Sequence, residues 1–255
     1  MRGNAVKDKL KGGGTAFGTM IFEFDSPGLP TILANAGADY VIYDMEHSGL
    51  SVTDIKRQIA YCRGLDLVPL VRPGKKTYAE CARLLDVGAM GLMLPMVETR
   101  EEAEAIASWV RYPPHGVRGA IFGGAHDDYT GGDVAAKMKA ADARTMVIVL
   151  IETKKGLENV EEILSVDGID AAHLGQFDLS LSMGIPAAFD RPEFQAAIDR
   201  LLAACEKTGK IPACMATDVA TAKEWMGRGF RMVGYSFDIA LLGGALRQGL
   251  DSLKS

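Results

Sequence analysis

Apolar residues gather into eight short runs along the chain, at 16–22, 39–44, 67–71, 90–95, 146–151, 169–174, 211–216 and 231–237. Each run is continuous, as in MVIVLI before Glu152, rather than alternating with polar residues. Strands covered on both faces have this pattern, and parallel sheets are where such strands occur. The stretches between the runs are amphipathic and carry helix punctuation. Ser51 stands three residues before Asp54, and Thr77, Thr99, Thr217–Asp218 and Asp238 are similar openers. Ser26 followed by Pro27 predicts another helix start. Gly37, Gly64, Gly88 and Gly229 lie just past helical stretches, and Gly209 closes a long one over 191–208.

Eight strands alternating with eight helices, at roughly 32 residues per unit, predict an α/β fold: a single (β/α)8 TIM barrel over 1–255. The competing doubly wound sheet would carry a glycine-rich turn after its first strand. Here that position reads Glu23-Phe24-Asp25-Ser26-Pro27, and the glycines at 12–14 precede the strand. One segment breaks the rhythm. Residues 113–145 form a long loop, expected to hold one short helix near 133–143, and a loop of that length in a compact domain is usually functional.

Composition narrows the setting. Hydrophobic residues make up 48% and charged residues 24%, which argues against a disordered chain. The net charge is −5 and no Lys/Arg block occurs, which argues against a nucleic-acid partner. No apolar run is long enough to span a bilayer, and the N-terminus lacks the apolar stretch of a secretory signal. Cys62, Cys81, Cys205 and Cys214 form neither CxxC pairs nor a zinc-type cluster. They read as small buried hydrophobes in a reduced, cytoplasmic protein.

Barrel active sites form where strands end and loops begin. Asp44-Met45-Glu46-His47 follows the second run, Arg72-Pro73-Gly74 the third, Glu152-Thr153-Lys154 the fifth, and Gly175-Gln176-Phe177-Asp178 the sixth. Glu152 and Asp178 facing each other across a mouth would repel unless a cation lay between them, and hard oxygen ligands suit Mg²⁺ or Mn²⁺. Their other reading is as helix caps or surface acids. Arg72 is suited to a carboxylate or oxyanion. It could equally pair with Asp44 or Glu46. His47, beside a strand end, is placed for general acid–base work, or is incidental. His173, inside an apolar run, reads as a core residue. Backbone amides at the turn around Gly175 could hold an anion.

These segments together carry a resemblance. YDMEHSGLS, LVRPG, GLMLPMVET, RGAIFGG, IETKKGLENVEEIL and GIDAAHLGQFDLSLSMG, in that order over about residues 15–250, resemble the HpcH/HpaI aldolase family. Its members are metal-dependent (class II) pyruvate aldolases. The resemblance implies a barrel whose last helix is often exchanged between subunits of a dimer, with dimers assembled into hexamers, so a homo-oligomer is expected. It implies Glu152 and Asp178 as ligands of a divalent ion (Mg²⁺ or Mn²⁺, with Co²⁺ or Zn²⁺ as further options). Arg72 matches the arginine at the enolate oxygen, His47 the acid–base, and Asp86 the aspartate that orients this histidine. The amides of Gly175, Gln176 and Phe177 match the pyruvate carboxylate site.

Two departures stand out. Leu150 replaces a glutamine that the family often has two residues before the metal glutamate. The long loop reads Gly124-Ala125-His126-Asp127-Asp128-Tyr129 where an Ala-Arg pattern is usual. His126 is then expected on the aldehyde side of the pocket, and the two acids argue for a neutral, hydroxylated or aromatic aldehyde. The expected ligands are a small 2-oxo acid and an aldehyde. A carbon–carbon lyase of the citrate lyase or malyl-CoA lyase type is the nearest rival, and a non-catalytic binding barrel is the other. A Schiff-base lysine is not expected, because Lys154 and Lys155 open a helix.

Overall fold

The eight runs become eight parallel strands that close on themselves in chain order. They are β1 (Ala16–Ile21), β2 (Tyr40–Asp44), β3 (Val68–Arg72), β4 (Gly91–Leu94), β5 (Met146–Ile151), β6 (Ala171–Leu174), β7 (Ile211–Ala216) and β8 (Met232–Phe237). The computed structural model describes all 255 residues. Twelve helices surround the barrel: α1 (Ala5–Lys11), α2 (Leu29–Asn35), α3 (Val52–Tyr61), α4 (Tyr78–Asp86), α5 (Arg100–Trp109), α6 (Val134–Arg144), α7 (Lys154–Glu158), α8 (Val160–Leu164), α9 (Gln176–Ser182), α10 (Pro192–Thr208), α11 (Val219–Arg228) and α12 (Asp238–Lys254). No helix is long and apolar enough to cross a membrane.

Strand parity divides the core in two. Tyr40 and Ile42, Val68 and Leu70, and Met146, Ile148 and Leu150 point into the barrel. The alternate residues, Val41, Tyr43, Val71, Val147, Val149 and Ile151, point out against the helices. Both sets are buried, so the strands read as unbroken apolar runs. The inward parity runs on past each apolar run to the next inward position: Asp44 on β2, Arg72 on β3, and Glu152 just beyond β5. The barrel therefore aims these three side chains at its own axis, at the C-terminal mouth.

Helix starts follow the sequence closely. Ser51 and Asp54 form a reciprocal capping box, and Thr77, Thr99 and Asp218 each accept the backbone N–H three residues on. Gly209 and Gly229 stop α10 and α11 in the left-handed conformation. Ser26–Pro27 does not open α2, which begins at Leu29 after an uncapped Gly28. The carbonyls of Asp25 and Ser26 instead accept from the Gln58 side chain, which folds residues 25–28 into a turn.

Two features lie outside the eight-unit plan. Helix α1 plugs the N-terminal end of the barrel with Val6 and Leu10. Asn4 caps it and donates to the carbonyls of Met90 and Arg144, while the Lys7 ammonium reaches Asp170 at 3.0 Å. At the other terminus, Asp238 opens α12 by turning inward, 6% exposed, to accept from the N–H groups of Phe22, Glu23 and Phe24 at 3.1, 2.8 and 2.9 Å. The four cysteines are free and buried, and burial pushes the Cys62 thiol up to about 11 and those of Cys81 and Cys205 to about 12.

Candidate active site

A cavity of about 170 Å³ opens at the C-terminal ends of the strands. Its walls include Phe22, Arg72, Leu150, Glu152, His173, Gly175, Asp178 and Phe237. A larger hollow of about 490 Å³ lies at the opposite end, where Lys7 pairs with Asp170 and Arg111 with Asp167.

Arg72 is fixed from two sides. Asp44 stands directly across from it in the β2–β3 register and accepts from its Nε at 2.5 Å. Glu46 lies 3.2 Å from its Nη1. Asp44 also accepts from the backbone N–H of His47 at 2.7 Å, so one buried carboxylate positions both the guanidinium and the histidine loop. The Nη2 of Arg72 has no protein partner, and the residue forms part of the cavity wall. The arginine thus has both its structural partners and a free donor edge. His47 itself is largely exposed, with Nε2 3.6 Å from Glu46.

Glu152 is 3% exposed. Its Oε1 accepts from the N–H of Met96 at 2.6 Å, and Met96 adopts a left-handed φ of 53°. That backbone conformation is costly for a residue with a side chain. Here it delivers an amide to the carboxylate. Gly175 leaves the other side open, since a Cβ there would come within 2.4 Å of Glu152 Cβ. Burial raises the Glu152 pKa to about 7, against the Met96 hydrogen bond and with help from the negative charges of Glu46 and Asp178. Asp178 lies in the exposed first turn of α9, where the N–H groups of Gln176, Phe177 and Asp178 have no intrahelical partner.

This donor set fits a small hard cation. Glu152 is a buried carboxylate repelled by its acidic neighbours, a situation that a divalent ion relieves. Beyond Glu152 and Asp178 no cluster of three or more His, Cys, Asp or Glu side chains forms a closed cage. Two carboxylates with the remaining positions open suit Mg²⁺ or Mn²⁺ better than a closed zinc site.

Several sequence expectations land elsewhere. His126 is fully buried under Phe122 beside Arg118 and does not reach the cavity. Asp86 pairs with Arg118 at 2.8 Å and makes no bond to His47. Asp127 is held by Lys137 at 2.6 Å, and Asp128 lies by Arg63 and the N-terminus. The two loop acids are thus neutralised within the chain, and the charge argument for a neutral aldehyde loses its footing there. His173 corrects another expectation: it is buried, but it forms part of the cavity wall rather than an apolar layer. Strand parity could have found it, because Ala171 also points inward and His173 lies two residues on.

The closed parallel barrel, with acids and a held arginine at its C-terminal mouth, defines an α/β-barrel enzyme. The HpcH/HpaI aldolase/citrate lyase family model matches residues 20–244. A hydroxypyruvate/pyruvate aldolase of Roseobacter denitrificans is 35% identical over 241 residues, which cover 94% of this chain and 93% of that one. A 4-hydroxy-2-oxo-heptane-1,7-dioate aldolase of Salmonella dublin is 34% identical over 94% of this chain and 90% of its own. The crystal structure of an HpcH/HpaI aldolase from Desulfitobacterium hafniense superposes with a TM-score of 0.94 at 29% identity, covering 98% of this chain and 96% of that one. The chain belongs to the HpcH/HpaI aldolase/citrate lyase family, whose aldolases are carbon–carbon lyases.

The raised Glu152 pKa gives a direct test on metal-free protein. The folded state binds this proton more tightly than the unfolded chain does, with a pKa of about 7 against 4.5. Stability should therefore fall as pH rises between these values and level off above them. Glu152→Gln copies the protonated form. At pH 8 with chelator it should melt higher than wild type, by at most about 3 kcal/mol, and near pH 4.5 the two should coincide. Mg²⁺ or Mn²⁺ should raise the melting temperature of wild type and not of the variant. Calorimetric scans across pH check both points.

Proposed function

We propose that the protein is a divalent-metal-dependent aldolase that cleaves or forms 4-hydroxy-2-oxo acids, with a pyruvate-type enolate and an aldehyde as the two halves. The observation that carries this reading is the buried Glu152 in one small cavity with the free edge of Arg72. The names of the relatives point to the same bond.

Glu152 and Asp178 would hold the ion. When bound, it supplies Lewis-acid polarisation of the 2-oxo group. The chain's own residues do the rest. Arg72 donates from Nη2 to the C2 oxygen, where negative charge grows as the carbon–carbon bond breaks, so it favours the transition state over the ground state. The free amides at the start of α9, at Gln176 and Phe177 after Gly175, receive the carboxylate. His47 moves the proton at the 4-hydroxyl oxygen, and Asp44, accepting from the N–H groups of Glu46 and His47, sets its loop. Asp86 is not within reach of that histidine in the single protomer, and its assigned part, like that of His126, would have to be played at a neighbouring subunit. No lysine forms part of the cavity wall, which supports an enolate over a Schiff base. The acceptor is neutral on this reading, because Arg72 is the only cationic side chain on the wall and it is already engaged.

The exposed C-terminal helix supports an oligomer. Leu242, Leu246, Leu250 and Leu253 lie on one stripe of α12 and are all exposed. On the barrel wall, Phe17 of β1 and Tyr235 of β8 are also exposed, where a barrel helix would normally cover them. An α12 lent by a second subunit would bury both surfaces, and dimers built this way would form the trimer of dimers.

Three outcomes test these points. Pyruvate release from 4-hydroxy-2-oxo acids should stop after exhaustive chelation and return with Mg²⁺ or Mn²⁺. Full activity in chelator, or a pyruvate adduct trapped by borohydride, would overturn the reading. Arg72→Lys should stay folded but lose about a hundredfold in rate, since Lys keeps charge and loses the held fork. A rate within about threefold of wild type would remove Arg72 from the C2 oxygen. Light scattering should give an oligomer for wild type and a smaller species for Leu246→Asp with Leu250→Asp.

A further inference from the structure

The floor of the cavity holds a histidine that the proposed steps leave unused. His173 comes from β6, between Leu150 of β5 and Ala213 of β7 in the strand register. It is 4% exposed. Its Nδ1 lies 3.1 Å from the carbonyl oxygen of Leu174. A carbonyl only accepts, so Nδ1 carries the proton and Nε2 keeps its lone pair. Nε2 has no protein partner, yet it is not sealed inside the protein, and His173 forms part of the cavity wall. The free nitrogen therefore faces the cavity. Burial, with the Arg72 charge adding to it, lowers the ring's pKa to about 4, which keeps it neutral and an acceptor.

Its surroundings make this acceptor specific. Met20, Met93, Leu150 and Met215 form the rest of the floor. A bare acceptor in such a place goes unmatched unless water or a ligand donates to it. On the aldolase reading a 2-oxo acid would lie with its carboxylate at the first amides of α9 and its C2 oxygen at Arg72, on the polar side of the cavity. Its third carbon, the one that becomes the nucleophile, is left on the apolar side. That carbon is bonded to C2, whose oxygen meets Arg72, and Arg72 and His173 share the wall of one cavity of about 170 Å³. The methyl group of pyruvate offers nothing to Nε2.

We propose that His173 Nε2 accepts a hydrogen bond from a hydroxyl group on C3 of the donor, so that the site takes 3-hydroxylated 2-oxo acids, hydroxypyruvate being the simplest, in preference to pyruvate. The inference rests on the aldolase reading and names the residue that selects the donor. In the bond-forming direction C3 loses a proton and joins the carbonyl carbon of the aldehyde, whose oxygen gains a proton. The C3 hydroxyl stays on the donor, and His173 neither gives nor takes a proton. A site built around an acceptor discriminates against a substrate that lacks the matching donor.

The test uses the full-length protein with Mn²⁺ in D₂O and no aldehyde. Exchange of the C3 protons of pyruvate and of hydroxypyruvate is followed by NMR, less the enzyme-free rate. Wild type should exchange both and show the lower KM for hydroxypyruvate. His173→Phe keeps a planar ring and removes the acceptor. Its kcat/KM ratio of hydroxypyruvate to pyruvate should drop by about tenfold or more. His173→Gln, which places an oxygen near the Nε2 position, should recover part of the ratio. If Phe does not fit, His173→Met, apolar like its neighbours, carries the same expectation. A ratio unchanged within about threefold, an equal loss on both donors, or a wild type that exchanges pyruvate only would each overturn the proposal and leave the aldolase reading in place. Exchange of neither donor would overturn that reading and the proposal with it.

Discussion

The contact between Arg72 and Asp44 organises the mouth of the barrel. Two neighbouring strands end level with each other, one in a carboxylate and the other in a guanidinium, and both side chains are nearly shut off from water. A buried ion pair is a poor source of stability, because removing two charges from water costs about what their attraction returns. What it supplies is direction. The pair fixes the guanidinium on one edge and leaves another edge to face the cavity, and the same carboxylate pins the loop that carries His47. A flexible cation would have to be ordered at each encounter with an anion.

Around that fixed point the site gathers negative charge without compensating it. Glu46, Glu152 and Asp178 bear on one another, opposed by Arg72 and, at Glu46, by His47. The surrounding fold sustains this by local devices: the left-handed Met96, whose amide reaches Glu152, and Gly175, which has no side chain to collide with it. Such costs are accepted where a site must be ready before its ligand arrives.

The barrel was legible because the inward and outward faces of every strand are both apolar, so that the runs at 146–151 and 211–216 coincide with β5 and β7. Caps such as Ser51 and Thr99 were legible for a local reason, since their partners lie three residues away. Helix α1 was not, because only Val6 and Leu10 mark it and its anchors, the carbonyls of Met90, Arg144 and Thr145, are far off in sequence. The carboxylates and Arg72 could be picked out from their positions after the runs. Asp44 as their organiser, and His173 as part of the cavity wall, needed the parity of the closed barrel. His126 and Asp86 illustrate the reverse: a matched motif gives residue types, while their contacts with Arg118 depend on how the long loop packs.

One carboxylate joins two surfaces that are otherwise unrelated. Asp238 is the first residue of α12, and its oxygens hold the amides of Phe22 to Phe24. Phe22 forms part of the cavity wall, and its ring lies under the Arg72 guanidinium. The rest of α12 is an uncovered leucine stripe. Only a few hydrogen bonds separate that stripe from the ring beside the arginine. The uncovered helix and the wall of the cavity thus hang from the same carboxylate.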